Sequence, residues 1–188
     1  AVIKTVRGRG YRFVAEAASI PNAATSLPST RLRLKPKRTE RRPGESIAYA
    51  TVGAGPPLLF MPGWISSLDA FADGSDPRSL LVARLAEAFS VTLFDRHGTG
   101  LSTAPTFDPS LAGSVDEVRT VIEATSDRPA TLFASSAAGP AGLLAAAGNP
   151  RVGRVVLMGT YASGPALFTN TQHNAALTSL VRQSWGLG

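Results

Sequence analysis

A serine lies among small residues at the point where a short apolar segment gives way to an alanine-rich one. Residues 132–140 read Leu-Phe-Ala-Ser-Ser-Ala-Ala-Gly-Pro, and residues 141–147 continue the alanine-rich segment. A strand, a serine flanked by small side chains and then a helix is an arrangement that presents a nucleophilic hydroxyl. The pattern therefore predicts a serine nucleophile. The alternative is an ordinary strand-to-helix turn that happens to contain serine, because short motifs of common residues also arise without function.

Two serines are adjacent, and steric crowding favours the second of them. With Ser136 as the nucleophile, the positions two before and two after it are Ala134 and Ala138, followed by Gly139. With Ser135 as the nucleophile, the bulky Phe133 falls at the crowded position two before it. A sharp strand-to-helix turn accepts only small residues at these positions, so we predict that Ser136 carries the chemistry.

The elements around this turn predict a doubly wound α/β sheet. Residues 57–61 and 91–94 are apolar runs of strand length, and residues 154–159 form another candidate strand after the serine. Apolar runs without polar alternation are typical of parallel strands that are covered on both faces. Residues 79–89 carry apolar side chains at helical spacing between the first two strands. Strands that alternate with helices indicate a mostly parallel sheet with helices on both faces.

The order of these motifs resembles a known family. Residues 45–188 give a strand, a Pro-Gly-Trp loop, a helix, a strand, Asp-Arg-His-Gly-Thr-Gly-Leu-Ser, a helix, a strand, the serine turn, a helix and a strand. This series resembles the N-terminal half of an α/β-hydrolase. The Gly-Thr-Gly-Leu-Ser form and the final Val-Arg-Gln-Ser-Trp-Gly-Leu-Gly resemble hydrolase domains fused to bacterial regulators and nucleotide cyclases. The resemblance implies a partial α/β-hydrolase fold and a serine hydrolase that acts on an ester or related acyl bond.

The resemblance also implies roles for particular residues. Ser136 would be the nucleophile, and backbone N–H groups of Ala137 and Trp64 would bind the oxyanion that forms when the serine attacks. Hydrolases of this fold place a catalytic acid and then a histidine base after the serine. Neither histidine of this chain, His97 or His173, matches that base, and a loop or packing role is the simpler interpretation of each.

The acid and the base are therefore expected beyond the given sequence. No carboxylate side chain follows Asp127, and the chain ends at Gly188. Two explanations are open: a longer protein supplies both groups, or the domain is a non-catalytic remnant. We favour the first, and on either explanation we expect the 188 residues as given to be incomplete and inactive.

The first residues resemble part of a different domain. Residues 1–15 read as a β-hairpin containing Thr-Val-Arg-Gly-Arg-Gly-Tyr-Arg-Phe, and the chain does not begin with Met. This segment resembles the last hairpin, the wing, of OmpR/PhoB-type winged-helix DNA-binding domains. The resemblance implies that Arg7 and Arg9 contact DNA, although the recognition helix of that family is not in this sequence.

The charges divide the chain in the same way. Residues 1–42 contain eleven Lys and Arg and two Glu, a net charge of +9, whereas residues 43–188 contain eight Lys and Arg and eleven Asp and Glu, a net charge of −3. We therefore predict a winged-helix remnant over 1–15, a flexible basic linker rich in Pro, Ala and Ser over 16–42, and a truncated α/β-hydrolase domain over 43–188. This division leaves an alternative function open: a DNA-binding transcriptional regulator whose hydrolase-like domain senses a ligand without catalysis.

Composition disfavours several other classes. The chain has no cysteine and only two histidines, so we expect neither a disulfide nor a metal site, and we expect no cofactor. Residues 98–100 contain two glycines without the spacing of a dinucleotide-binding loop. No apolar run approaches the ~20 residues of a membrane span. We expect a cytoplasmic protein whose partner is a small-molecule substrate or ligand, with DNA as a second partner through the winged-helix domain of a longer chain.

Overall fold

The computed structural model describes residues 30–63, 66–103, 108, 110–162, 174–175 and 178–179, together with the backbone of Ile3–Val6 and Gly10–Phe13. The strands are β1 (Ile3–Val6), β2 (Gly10–Phe13), β3 (Lys37–Arg42), β4 (Glu45–Val52), β5 (Pro57–Met61), β6 (Ser90–Phe94), β7 (Ala130–Ser135) and β8 (Val152–Met158). The helices are α1 (Leu68–Asp73), α2 (Ser79–Ala86), α3 (Leu111–Thr125) and α4 (Gly139–Ala146), with a 3₁₀ turn at Ser136–Ala138. Within the described segments, no helix has the length and apolar character needed to cross a bilayer.

Six of the strands form one mixed sheet in the order β3-β4-β6-β5-β7-β8. Strand β4 runs antiparallel to both of its neighbours, whereas β6, β5, β7 and β8 are mutually parallel. The chain crosses the sheet from β5 to β6 and back to β7, and helices make these crossovers. The predicted doubly wound, mostly parallel α/β sheet is therefore confirmed.

Each face of the sheet carries its own apolar core, which explains why the central strands lack polar alternation. On β5, Leu58 and Phe60 belong to one core and Leu59 and Met61 to the other. The first core includes Phe71 of α1 and Val82 of α2, and the second is formed with α3 and α4; the α3 and α4 members are Val118, Val121, Ile122, Ala141 and Ala145. Successive residues of β5 are thus buried on opposite faces.

The sheet begins earlier in the chain than the sequence indicates. Lys37–Arg42, assigned above to the basic linker, forms strand β3 and pairs antiparallel with β4. Its charged side chains lack the apolar pattern by which strands are predicted. Charged residues are nevertheless common on edge strands, where they discourage pairing with other molecules. The predicted N-terminal hairpin is present, with Ile3 opposite Phe13 and Val6 opposite Gly10. Arg7 and Arg9 lie outside the described residues.

Strand β8 is the outermost described strand on the side opposite β3, and its only described strand partner is β7. Unlike the central strands, it keeps apolar side chains in contact with solvent: Val156, Leu157 and Met158 are each at least 40% exposed. The apolar pattern of β8 therefore resembles that of a buried strand, although β8 lies at the edge of the sheet among the described strands.

Candidate active site

The chain bends sharply where β7 ends. Ser136 has φ of 51°, and it is the only residue other than glycine with a positive φ in the described part of the chain. An L-residue in this left-handed region costs roughly 1–2 kcal/mol. The adjacent Ser135 has an ordinary φ of −107° and is buried, whereas Ser136 is exposed. Of the two serines, Ser136 thus occupies the strained and accessible position at the carboxyl edge of the central strands.

A residue from the loop after β8 holds this bend in place. The Thr160 hydroxyl donates a 2.6 Å hydrogen bond to the backbone carbonyl of Ser136. A Cβ on Gly139, the first residue of α4, would lie only 1.7 Å from Thr160 Oγ1. Glycine at this position therefore makes room for the threonine, and the strained bend is stabilised by a contact from a distant part of the chain.

The loop after β5 packs directly against the bend. Gly63 has φ of 88°, and a Cβ built on it would lie 2.6 Å from the carbonyl oxygen of Ser135 and 3.1 Å from Cβ of Ser136. Only glycine satisfies both the positive φ and this close approach. Trp64, the predicted second oxyanion donor, lies outside the described residues. Ala137, the predicted first donor, is exposed beside Ser136.

A small pocket lies between these two loops at the carboxyl edge of the sheet, the usual place for ligands in open α/β sheets. Its volume is about 70 Å³, and both Gly63 and Ala137 line it. The rest of its wall is mainly apolar, with three polar side chains from the β6–α3 region; the lining includes Met61, Phe94, Val118, Arg96, Ser114 and Glu117. The arrangement offers an apolar cavity with a few polar groups next to the exposed serine.

Comparison with known proteins identifies the family. The family model described as alpha/beta hydrolase fold matches residues 56–185. The chain belongs to the α/β-hydrolase fold family. No curated protein matches the chain at a significant level.

Solved structures of hydrolases show the same fold. A hydrolase from Pseudomonas aeruginosa is 26% identical with a TM-score of 0.59, and the alignment covers 81% of this chain and 54% of that one. E-2-(acetamidomethylene)succinate hydrolase is 25% identical with a TM-score of 0.58, over 79% of this chain and 51% of that one. An esterase from Rhodococcus is 25% identical with a TM-score of 0.55, over 70% of this chain and 47% of that one. The chain thus spans about half the length of the hydrolases that it matches.

One buried carboxylate organises the polar side of the hydrolase pocket. Glu117 of α3 is 1% exposed and accepts hydrogen bonds from the His97 backbone N–H at 3.0 Å and from Arg96 Nε at 3.1 Å. Arg96 also donates from Nη2 to the Ser114 hydroxyl at 2.6 Å. Because Arg96 is paired with Glu117, the polar side of the pocket is close to neutral in charge. Glu117 therefore joins the loop after β6 to helix α3.

His97 is buried and engaged elsewhere, so its contacts do not match those of a base for Ser136. Its Nδ1 lies 2.8 Å from Nη1 of Arg41. Arginine can only donate, so Nδ1 accepts this hydrogen bond. No partner for Nε2 is found in the described part of the structure. Arg41 also binds Asp116 at 2.8 Å, which connects edge strand β3 to α3.

The serine is without a partner base or acid in the part of the hydrolase that the structure describes. No histidine or carboxylate there forms a hydrogen bond with Ser136, and His173 lies outside the described residues. Within the described ranges, no group of three or more His, Cys, Asp or Glu side chains is placed to hold a metal ion. The described chemistry of the site consists of the strained serine, the adjacent N–H of Ala137 and the pocket.

Sequence reasoning missed a second carboxylate that shapes the same edge. Asp95, directly after β6, is fully buried and accepts 2.7 Å hydrogen bonds from the N–H groups of Leu68 and Leu101. Burial raises the pKa of Asp95, while the hydrogen bonds from Leu101 and Leu68 act in the opposite direction. Asp95 thus fixes the start of α1 relative to the loop after β6. Its position immediately after a buried strand was the available signal.

Proposed function

We propose that this chain is the nucleophile-bearing part of a serine hydrolase that cleaves an ester or a related acyl bond. Ser136 Oγ would attack the acyl carbon of the substrate, and the N–H groups of Ala137 and Trp64 would stabilise the oxyanion. The leaving group would depart with a proton, leaving an acyl-serine. Water would then cleave that ester and restore the hydroxyl.

The observation that carries the proposal is the backbone of Ser136. A positive φ at a non-glycine residue is costly and is kept where function or the surrounding structure requires it. Here it occurs between a buried strand and a helix, in a residue whose side chain can react and which is exposed at the carboxyl edge of the sheet. The close approach of Gly63 and the pocket beside Ala137 support the same assignment.

The proton-transfer groups belong to the proposal as well. A serine hydroxyl is a weak nucleophile without a neighbouring base. We propose that the acid and the base come from chain that follows Gly188 in a longer protein, and that the 188 residues as given do not turn over esters. Robust esterase activity from the 188-residue chain would contradict this part of the proposal.

A fluorophosphonate probe tests the assignment directly, because it reacts with an activated serine and remains attached. The full-length protein should gain one probe adduct, and peptide mass spectrometry should place it on residue 136 and not on the adjacent Ser135. Heat-denatured protein treated in the same way is the control for non-specific labelling. Folded protein that stays unlabelled, or that is labelled at Ser135, would refute the proposal.

The alternative function rests on the charge of the N-terminal segment. Residues 1–42 carry a net charge of +9 and include the hairpin that resembles a winged-helix wing. We propose as the second candidate that the full-length protein is a DNA-binding transcriptional regulator whose hydrolase-like domain senses a ligand without catalysis. A gel shift of the full-length protein on duplex DNA should then weaken steeply as salt increases. No shift at low salt would eliminate this candidate.

A further inference from the structure

Asp76 and Arg78, which lie between α1 and α2, form an ion pair that also contacts the loop after β5. Asp76 accepts two parallel hydrogen bonds from the Arg78 guanidinium, from Nε at 2.8 Å to Oδ1 and from Nη2 at 2.6 Å to Oδ2. The Arg78 backbone N–H adds a third at 2.8 Å to Oδ1. A forked arginine–carboxylate contact of this kind fixes direction as well as distance. The guanidinium is therefore held in one orientation.

The pair contacts the loop after β5 on both sides of Trp64. The Arg78 Nη1 donates to the backbone carbonyl of Pro62. On the other side, the Ser66 hydroxyl donates to Asp76 Oδ2 at 2.6 Å. Residues 62 and 66 flank the position whose N–H is the proposed oxyanion donor. We call Asp76 and Arg78 together the Asp76–Arg78 clamp. The clamp binds the loop at Pro62 and at Ser66, one residue on each side of the proposed donor.

Hydrogen bonds and an aromatic ring stabilise the Asp76–Arg78 clamp. Asp76 is 6% exposed, and burial alone would raise its pKa, but the hydrogen bonds from Arg78 and Ser66 hold the pKa below its usual value. The Arg78 guanidinium carbon lies 5.8 Å from the centre of the Phe71 ring, within the range of a cation–π contact. Phe71 packs edge-on against Phe60 of β5, with ring centres 6.1 Å apart. The clamp therefore rests on the strand that leads into the loop.

We propose that the Asp76–Arg78 clamp sets the position of Pro62 and Gly63 against the bend at Ser136. This role rests on the proposed function in its catalytic part, since the clamped segment would carry an oxyanion donor. Asp76 and Arg78 are positioning residues: they do not touch the substrate and act through the backbone of the loop. A donor must lie about 2.7–3.1 Å from the developing oxyanion, and its placement must be accurate to roughly 0.5 Å, so the loop needs such a support.

The loop position can be measured without any activity. The chain has two tryptophans, so replacing Trp185 by Phe leaves Trp64 as the single tryptophan, which lies in sequence between the two clamped residues, Pro62 and Ser66. In that background, Arg78→Lys keeps a cation for Asp76 but loses the forked geometry that also reaches Pro62. We expect acrylamide to quench Trp64 at least about twofold more efficiently in this variant, because a loop that opens locally becomes more accessible.

A matched control lies on helix α2, which begins directly after Arg78. Arg84 of α2 forms an exposed ion pair with Glu87 at 2.9 Å, away from the loop. Arg84→Lys makes the same chemical change and should leave Trp64 quenching and the unfolding midpoint unchanged. Asp76→Asn is a second test variant, since it removes the charge of the other half of the clamp and should also increase quenching. Unchanged quenching in both Arg78→Lys and Asp76→Asn would overturn the proposal.

Kinetics of the full-length protein separate this inference from the proposed function. With p-nitrophenyl acetate as substrate, Arg78→Lys should lower kcat about tenfold to a hundredfold while KM changes little, because the oxyanion exists only in the transition state. An equal loss through KM alone would contradict a positioning role. If wild-type protein neither turns over the ester nor reacts with the fluorophosphonate, the proposed function fails, and Trp64 quenching still decides whether the clamp holds the loop.

Discussion

Replacing Ser136 by glycine should abolish labelling by a fluorophosphonate and ester turnover by the full-length protein, and should also make the protein more stable. The reaction is lost because no hydroxyl remains; loss of a serine nucleophile lowers kcat by about 10⁶-fold in a well-studied protease. Stability should increase by about 1 kcal/mol because glycine adopts a φ of 51° without the steric cost that serine bears there. Urea denaturation and labelling on the same preparation measure both effects.

The adjacent serine provides the control. Ser135 has φ of −107°, where glycine brings no relief, and it is the last residue of β7. Ser135→Gly should therefore destabilise the protein by about 0.5–1 kcal/mol, the usual cost of glycine within a strand, and should leave labelling intact. If Ser136→Gly lowered stability as Ser135→Gly does, the strain attributed to the bend would be wrong.

Replacing Glu117 by alanine should destabilise the protein by about 3 kcal/mol, since breaking a buried pair by removing one partner is strongly unfavourable. Two donors depend on this carboxylate: the buried backbone N–H of His97 and the Nε of Arg96. Glu117→Gln keeps the shape and one acceptor, so it should cost less than Glu117→Ala. The midpoint of urea unfolding should fall with little change in the slope of the transition.

The exposed Glu87 provides a control for the loss of stability expected of Glu117→Ala. Glu87 forms a surface pair with Arg84, and its side chain is 65% exposed. Glu87→Ala should change the free energy of unfolding by less than about 0.5 kcal/mol, as is usual for exposed pairs. If the two substitutions change the free energy of unfolding by amounts within about 1 kcal/mol of each other, the buried network does not hold α3 to the loop after β6.

The sequence predicts the centre of this fold better than its edge. Strands β5 and β6 could be predicted almost residue for residue because both of their faces are buried, so an unbroken apolar run is required. Strand β3 was missed because its residues, Lys-Arg-Thr-Glu-Arg-Arg, carry no apolar alternation. What places it in the sheet is backbone pairing with β4 and the contact of Arg41 with Asp116, 75 residues away.

The site shows the same division between local and distant constraints. The bend at Ser136 was predictable because its steric requirements fall on immediate neighbours, which are alanine and glycine. Two other contacts could not be predicted in this way. Thr160 binds the Ser136 carbonyl 24 residues earlier, and Arg78 binds the Pro62 carbonyl 16 residues earlier. Neither contact produces a periodic pattern in the sequence. Such contacts depend on how the loops pack at the carboxyl edge of the sheet, and the spacing of residues in one chain does not encode that directly.

The outer strand β8 has a practical consequence for anyone who purifies this polypeptide. Among the described residues, β8 has a strand partner on one side only and Val156, Leu157 and Met158 are exposed, which leaves an apolar rim along that edge. Rims of this kind recruit strands from other molecules, which leads to oligomers and precipitates as concentration rises. Yield and colloidal behaviour of the isolated 188 residues will therefore depend on what covers that rim: additional chain, a partner molecule, or a charged substitution introduced at Leu157.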